Sequence, residues 1–366
     1  MKIIRWSLHF YSLPYSREIV WVNAVERAGT FALLLLEADN GARGVATGTL
    51  KATWSGVSPR SLKAAMEDFI MPRLNDVDVV DPDIDMVRLA LAGIPENRLA
   101  KGMVETACWG LRAMAQDQPL WRHLGGDAQV DLAWALTPQA PLAMAQEAAE
   151  MRAAHGFTTM KVRAGQGTEV DMAALREVRA AVGPEVALYV DANSAYPSTE
   201  ALSYVRALNR AGVVAAEDPC PLLPDQGFES LQLEGGLPIL IDRNCTSVED
   251  AKRFLERGAT AFSVKSGRIG LTEARLIAQL AGRRGAKVAM GLYGECELGA
   301  LLALQLAAAI PPAHRLLPAE VSFYLLMTEQ VIGKPLQLQA GRVTLPETAD
   351  LAALIDWESV KRHALP

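Results

Sequence analysis

Histidine, cysteine and blocks of basic residues are what this chain has least of. Its five histidines (His9, His123, His155, His314 and His363) are scattered, and its four cysteines (Cys108, Cys220, Cys245 and Cys296) form no CxxC pair. That spacing argues against a zinc site or a disulfide framework, and the cysteines read as reduced, small core or rim residues. A net charge of −6 without a basic block leaves nothing to hold nucleic acid or an anionic lipid surface. Leu33-Leu-Leu-Leu-Glu37 and the Ala/Leu run at 298–310 both fall short of the roughly 18 apolar residues a bilayer span needs. The start, Met1-Lys-Ile-Ile-Arg-Trp6, has no signal-peptide apolar region, so the expected compartment is the cytoplasm. No GxGxxG follows the first strand-like run, which weighs against a dinucleotide-binding sheet.

What is present is a rhythm. Four apolar runs end on a charge: Val186-Ala-Leu-Tyr-Val-Asp191, Val213-Val-Ala-Ala-Glu217, Leu237-Pro-Ile-Leu-Ile-Asp242 and Ala261-Phe-Ser-Val-Lys265. The steps from 191 to 217 to 242 to 265 are 26, 25 and 23 positions, close to one strand plus one helix of a βα unit. From about residue 128 to 310, strand-like and helix-like stretches alternate through seven such units, with an eighth strand expected near Arg315–Pro318. Glycine follows the helices at Gly156, Gly183, Gly212, Gly258 and Gly285, as a helix C-terminal turn favours. Residues 1–60 read instead as strands and turns, with a loop expected over Tyr11–Arg17, and residues 60–125 read as helices, one of them starting on a serine cap at Ser61. The expected class is α/β: a (β/α)7β TIM-like barrel over residues 127–331, an N-terminal α+β capping domain over 1–126, and a tail, 332–366, that returns to the cap.

At the C-terminal end of a barrel strand, charged residues read as chemistry. One carboxylate there is most simply a solvated loop residue or a helix cap; three in step, each closing a buried run, read as a site. Asp191, Glu217 and Asp242 offer hard oxygen ligands suited to Mg²⁺, with Mn²⁺ as the alternative. Lys265 ends the next strand. Lys161 and Arg163 end the strand before Asp191 and share one face of it. A lysine at such a mouth is a candidate base, or else a counter-charge for the acids; arginine keeps its proton and can only bind or polarise a carboxylate. Glu295, in Gly291-Leu-Tyr-Gly-Glu295, follows the seventh strand as a candidate acid or hydrogen-bond partner.

These residues resemble the enolase superfamily, in the mandelate racemase and muconate lactonizing enzyme branch, nearly from end to end. The likeness runs through Gln118-Pro-Leu-Trp-Arg-His-Leu-Gly-Gly126, Lys161-Val-Arg163, Asp191-Ala-Asn193, Glu217-Asp-Pro219, Ile241-Asp242 and Val264-Lys-Ser-Gly-Arg-Ile-Gly270. The resemblance implies a Mg²⁺ triad of Asp191, Glu217 and Asp242, removal of a proton α to a carboxylate, and an enediolate stabilised with the metal's help. Lys265 with Glu295, and no histidine on the seventh strand, is similar to the muconate lactonizing subgroup. Two departures stand out. Arg163 occupies the place of the family's usual second lysine, and Arg243 follows the third ligand where many members carry an acid. A two-base racemisation is thereby disfavoured, and a one-base reaction expected: cycloisomerisation of a dicarboxylate, or a lyase reaction of the succinylbenzoate synthase or dehydratase type. A member that kept the metal site but lost catalysis is the remaining alternative. The resemblance also implies a homo-oligomer, a small-molecule carboxylate as partner, and mobile cap loops at about Tyr11–Val20 and Gly48–Gly56. Tyr15, Arg17, Lys51 and Trp54, with Asn193 and Arg243 on the barrel side, are the candidate substrate contacts.

Overall fold

The computed structural model describes residues 1–21, 24–80 and 85–365. Three strands, β1 (Ile3–Val20), β2 (Val25–Ala38) and β3 (Arg43–Thr49), form an antiparallel sheet in the order β1-β2-β3. The long helix Arg98–Ala115 lies on this sheet. It can approach closely because Gly44 and Gly48 face it: a side chain on Gly44 would run into the Ala107 carbonyl.

Tyr11–Arg17 is not a loop. It continues β1, with Pro14 opposite Ala28 and a register shift between Pro14 and Ile19. An edge strand tolerates this, since a proline there forfeits no central ladder bond. Likewise the early helix begins at Pro59 rather than Ser61, capped by Ser58 in a reciprocal box with Ser61.

The rest of the chain builds a curled parallel sheet in strict sequence order. It comprises β5 (Trp134–Leu136), β6 (Thr159–Arg163), β7 (Ala187–Asp191), β8 (Ala216–Glu217), β9 (Ile239–Ile241), β10 (Ala261–Val264) and β11 (Lys287–Met290), with helices between consecutive strands from β5 to β11. The strand-like stretch that opens the alternation at about residue 128 divides in two. Its first part, β4 (Gln129–Asp131), leaves the parallel sheet and joins β13 (Arg342–Thr344) and β12 (Leu338–Gln339) in a small antiparallel sheet. The expected eighth strand appears as single bridges, Arg315 to Val288 and Ala319 to Leu132. Pro318, lacking an N–H, interrupts any regular ladder there. Backbone bonds from Leu316 to Val288 and Glu320 to Met290 on one side, and from Ala319 to Asp131 on the other, tie this segment to both margins of the sheet. The glycines named as helix stops, Gly156, Gly183, Gly212, Gly258 and Gly285, all have positive φ. The chain end meets β1, with Ser12 N–H bonded to the His363 carbonyl and Leu365 N–H to Phe10.

Inside the curl, Ala133, Tyr189, Ala215, Leu240, Ala261, Ala289 and Leu317 pack as one buried cluster. Because side chains alternate, the residue two positions on from each points inward again, one layer nearer the strand ends. From Tyr189 that is Asp191, from Ala215 Glu217 and from Leu240 Asp242; on β10, Ser263 and then Lys265 follow Ala261. The small apolar layer is therefore the floor on which the charged layer rests.

Candidate functional site

The strand register sets the charged layer directly. Arg163 is the partner of Asp191 across β6 and β7, and Asp191 the partner of Glu217 across β7 and β8. Lys161 is fully buried and its Nζ reaches three carboxylates: Glu320 at 2.6 Å, Glu217 at 2.9 Å and Asp191 at 3.2 Å. Arg163 binds Asp191 at 2.5 Å, with Glu320 at 3.8 Å. Lys265 binds Asp242 at 2.5 Å and approaches Glu217 at 3.9 Å, while Arg268 holds the other Asp242 oxygen at 3.0 Å. Gly291 gives Lys265 its room: a Cβ there would meet Ser263 Oγ and lie 2.7 Å from Lys265 Cε.

The electrostatics follow from these contacts. Burial and Arg163 push the Lys161 ammonium toward losing its proton, but Glu217, Glu320 and Asp191 outweigh them and raise its pKa above the ordinary lysine value. Lys161 stands here as a counter-charge to three carboxylates. Burial opposes ionisation of Asp242, yet Lys265 and Arg268 hold its carboxyl below the usual range. Asp191 is lowered in the same way by Arg163 and Lys161. Burial, and then Asp191 beside it, push Glu217 up to about 8.

The donor set suits a hard divalent cation, and Glu217 Oε1 is buried without a hydrogen-bond partner. As the side chains stand, no three Asp, Glu, His or Cys groups among the described residues enclose a metal position. The three carboxylates expected to converge are neighbours, but each leans on an ammonium or guanidinium. They would hold a cation by giving up some of those pairs, and Glu217 Oε1, which accepts no hydrogen bond, would give up least.

Above this layer opens a pocket of about 330 Å³. Arg163, Lys265, Asp242, Asn193 and Arg243 line it, as does Trp54 from the N-terminal part of the chain. Asn193 adopts a left-handed backbone conformation, and its Nδ2 is buried without a partner. Arg268, Trp21, Tyr293 and Asp218 line it too. Asp218 accepts the Asp242 and Arg243 backbone N–H groups and so fixes the start of that loop.

Several expected contacts lie outside this lining. Arg17 pairs with Glu147 at 2.5 Å and donates to Thr137. Tyr15 is buried edge-on to Phe323. Lys51 is buried, ion-paired with Glu26, and capped by the Trp21 and Trp54 rings at 4.4 and 4.9 Å. It supports the aromatic wall rather than reaching into the pocket. Glu295 is buried as well; its Oε2 accepts the Tyr293 N–H at 2.7 Å and its Oε1 faces Gly267, where a Cβ would lie 2.7 Å away. Burial pushes its carboxyl up to about 7 against that backbone bond.

Glu320 is the residue that sequence reasoning missed. It binds Lys161 and accepts from Tyr189 Oη at 3.0 Å, completing the network from the eighth position. Its signal was one carboxylate after Leu316-Leu-Pro-Ala319, an apolar run too short and too proline-broken to stand out as a strand end. Arg268, three residues past Lys265, was visible only as part of a motif.

Comparison with known proteins decides the family. Residues 143–359 match the model for the Enolase C-terminal domain-like family. The chain belongs to that family. It is 29% identical to the o-succinylbenzoate synthase of Geobacillus stearothermophilus over 81% of this chain and 78% of that protein. It is 28% identical to the N-succinylamino acid racemase of Thermus thermophilus over 100% of this chain and 98% of the relative. Among solved structures, a muconate lactonizing enzyme from Mucobacterium Smegmatis complexed with muconolactone shares the fold, with a TM-score of 0.92 and 24% identity over 100% of both chains. The enolase superfamily member described here is thus related to isomerases, racemases and lyases. No helix among the described residues is long and apolar enough to cross a membrane.

Proposed function

We propose that the chain is a Mg²⁺-dependent enzyme that forms an enolate or enediolate of a carboxylate substrate, with Lys265 as its proton carrier. The observation that carries this reading is the pairing of Lys265 and Arg163 in one pocket lining, from strands four places apart. One of the two exchanges protons and the other does not. A one-base reaction follows, and muconate-type cycloisomerisation of a dicarboxylate is its best form.

Asp191, Glu217 and Asp242 would hold the metal. The chemistry a Mg²⁺ ion supplies when bound is positive charge beside a carboxylate that is losing its α-proton. Asp242 now pairs with Lys265; released from that pair, and once its own proton has passed to solvent, the lysine would be a neutral amine able to take the α-proton. Arg163 presents a fixed guanidinium to the substrate face across from Lys265. Arg243 lines the pocket as an exposed cation, and Asn193 Nδ2 as an unpartnered donor; both suit a second carboxylate. Trp21, Trp54 and Tyr293 form the wall that excludes water. In this reading residues 1–126 act as the cap, residues 127–331 as a closed (β/α)7β barrel, and residues 332–366 as the segment returning to the cap.

The likeness to an o-succinylbenzoate synthase favours a second form, a one-base elimination in the same pocket. A panel of unsaturated dicarboxylates and hydroxylated succinylbenzoate-type acids, assayed with Mg²⁺, separates the two. Lactone formation from a dicarboxylate supports the first and loss of water the second. Turnover of neither, by folded protein, would contradict both.

A further inference from the structure

Away from the rim, a second cavity of about 350 Å³ opens between the helices Leu271–Arg283 and Glu297–Ala309. Its floor is apolar, built from Leu124, Ala278, Leu306 and Ile310. Its edge is basic. Arg275, Gln279 and Arg283 stand at i, i+4 and i+8 on the first helix, so they share one face. His314 comes from the turn that follows the second helix. The imidazole can sit against the first helix because Gly282 has no side chain; a Cβ there would collide with His314 Nδ1.

No carboxylate is among the described lining residues, nor does one pair with Arg275, Arg283 or His314. This sets the cavity apart from the rim, where every cation named above except Arg243 already has a carboxylate. Arg275 is half-buried, its guanidinium 5.1 Å over the Trp109 ring, and burial alone pushes its pKa down. Cations partly removed from water with no acid beside them carry a desolvation cost that an incoming anion would offset. The site is also remote. It lies at the C-terminal end of the helix Glu297–Ala309, whose first residue is two positions from Glu295, and 13 residues of helix span about 20 Å.

We propose that this cavity is a binding site for a small amphipathic carboxylate, an acid whose apolar body fills the floor while its carboxylate meets Arg275 and Arg283. The volume lies at the small end of the range for small-molecule pockets, and a mostly apolar lining with a few convergent polar groups is their usual make-up. The ligand chemistry differs from that of the rim, where two charged ends are recognised.

Isothermal titration calorimetry with octanoate tests this on the intact protein in the presence of Mg²⁺, with acetate and octanol as controls. Octanoate is expected to bind saturably, acetate and octanol at least tenfold more weakly, and Arg283→Ala and Arg275→Ala to weaken octanoate about tenfold each. Arg283 is exposed, so its variant remains informative if Arg275→Ala disturbs the Trp109 stack. Octanoate binding unchanged in Arg283→Ala would overturn the proposal, as would octanol binding as tightly as octanoate. A change of sedimentation mass in the arginine variants, with no change in ligand affinity, would overturn it too, by marking the face as a contact between copies of the chain.

Discussion

Replacing Glu320 by glutamine is the perturbation that most directly probes the buried charge network. Glutamine keeps the shape and removes one negative charge from a cluster in which Lys161 has no access to water. Breaking a buried pair by removing one partner costs about 3–5 kcal/mol when the remaining charge is left uncompensated. Here Lys161 keeps Glu217 at 2.9 Å and Asp191 at 3.2 Å, so part of the compensation survives. The Tyr189 hydroxyl keeps an acceptor in the glutamine oxygen. A loss near 2–3 kcal/mol is therefore expected, just below that range. Urea unfolding of Glu320→Gln in metal-free buffer measures it, with Tyr189→Phe as a reference expected to cost about 1 kcal/mol for one hydrogen bond. A Glu320→Gln loss under about 0.5 kcal/mol, the scale of an exposed pair, would refute the claim that this network is dry and closely balanced.

Two further outcomes are expected. Gly291→Ala should leave the fold intact but displace Lys265, since the added methyl meets Ser263 Oγ and Lys265 Cε; activity should fall at least tenfold with little change in unfolding midpoint, and unchanged activity would count against the packing argument. Glu105, on the helix Arg98–Ala115 and facing Thr272 of the sheet's helices, is pushed by burial from 4.5 up to about 7. Its folded form binds a proton more tightly than its unfolded form, so the stability it contributes is fully present below about pH 4.5 and lost as pH rises through about 7. A shift of that size is worth at most about 3 kcal/mol. Unfolding midpoints measured from pH 4.5 to 8.5 should fall less steeply in Glu105→Gln than in the parent.

Asp191, Glu217, Asp242 and Lys265 were legible because a buried parallel strand must be apolar until it leaves the sheet. A charge that closes such a run, repeated at one βα interval, marks the rim where the strands end together. The same logic could not find Glu320, whose strand is reduced to bridges around Pro318. Nor could it tell that Lys161 would be ion-paired, because that depends on three carboxylates from three other elements meeting one ammonium. Glu295 was placed after the correct strand, but the turn at Gly294, with φ of 73°, folds its carboxylate back onto the Tyr293 N–H. Near the N-terminus, the pattern over Tyr11–Arg17 suggested a loop because proline and polar residues interrupt it. Only the pairing of Pro14 with Ala28 shows that an edge strand absorbs them. Arg17 and Lys51 read as substrate contacts because they lie on the two expected mobile loops; in the structure each is ion-paired with a glutamate, Glu147 and Glu26.

The central claim is that Lys265 moves a proton at the α-carbon of a carboxylate while Arg163 cannot. Incubation in D₂O with Mg²⁺ and a panel of carboxylic acids, followed by mass spectrometry or NMR, reads that step without requiring the full reaction. The expected result is α-hydrogen exchange for at least one acid that binds, abolished in Lys265→Ala and retained, though weakened, in Arg163→Met. Exchange that survives in Lys265→Ala, or no exchange with any acid that binds, would contradict it.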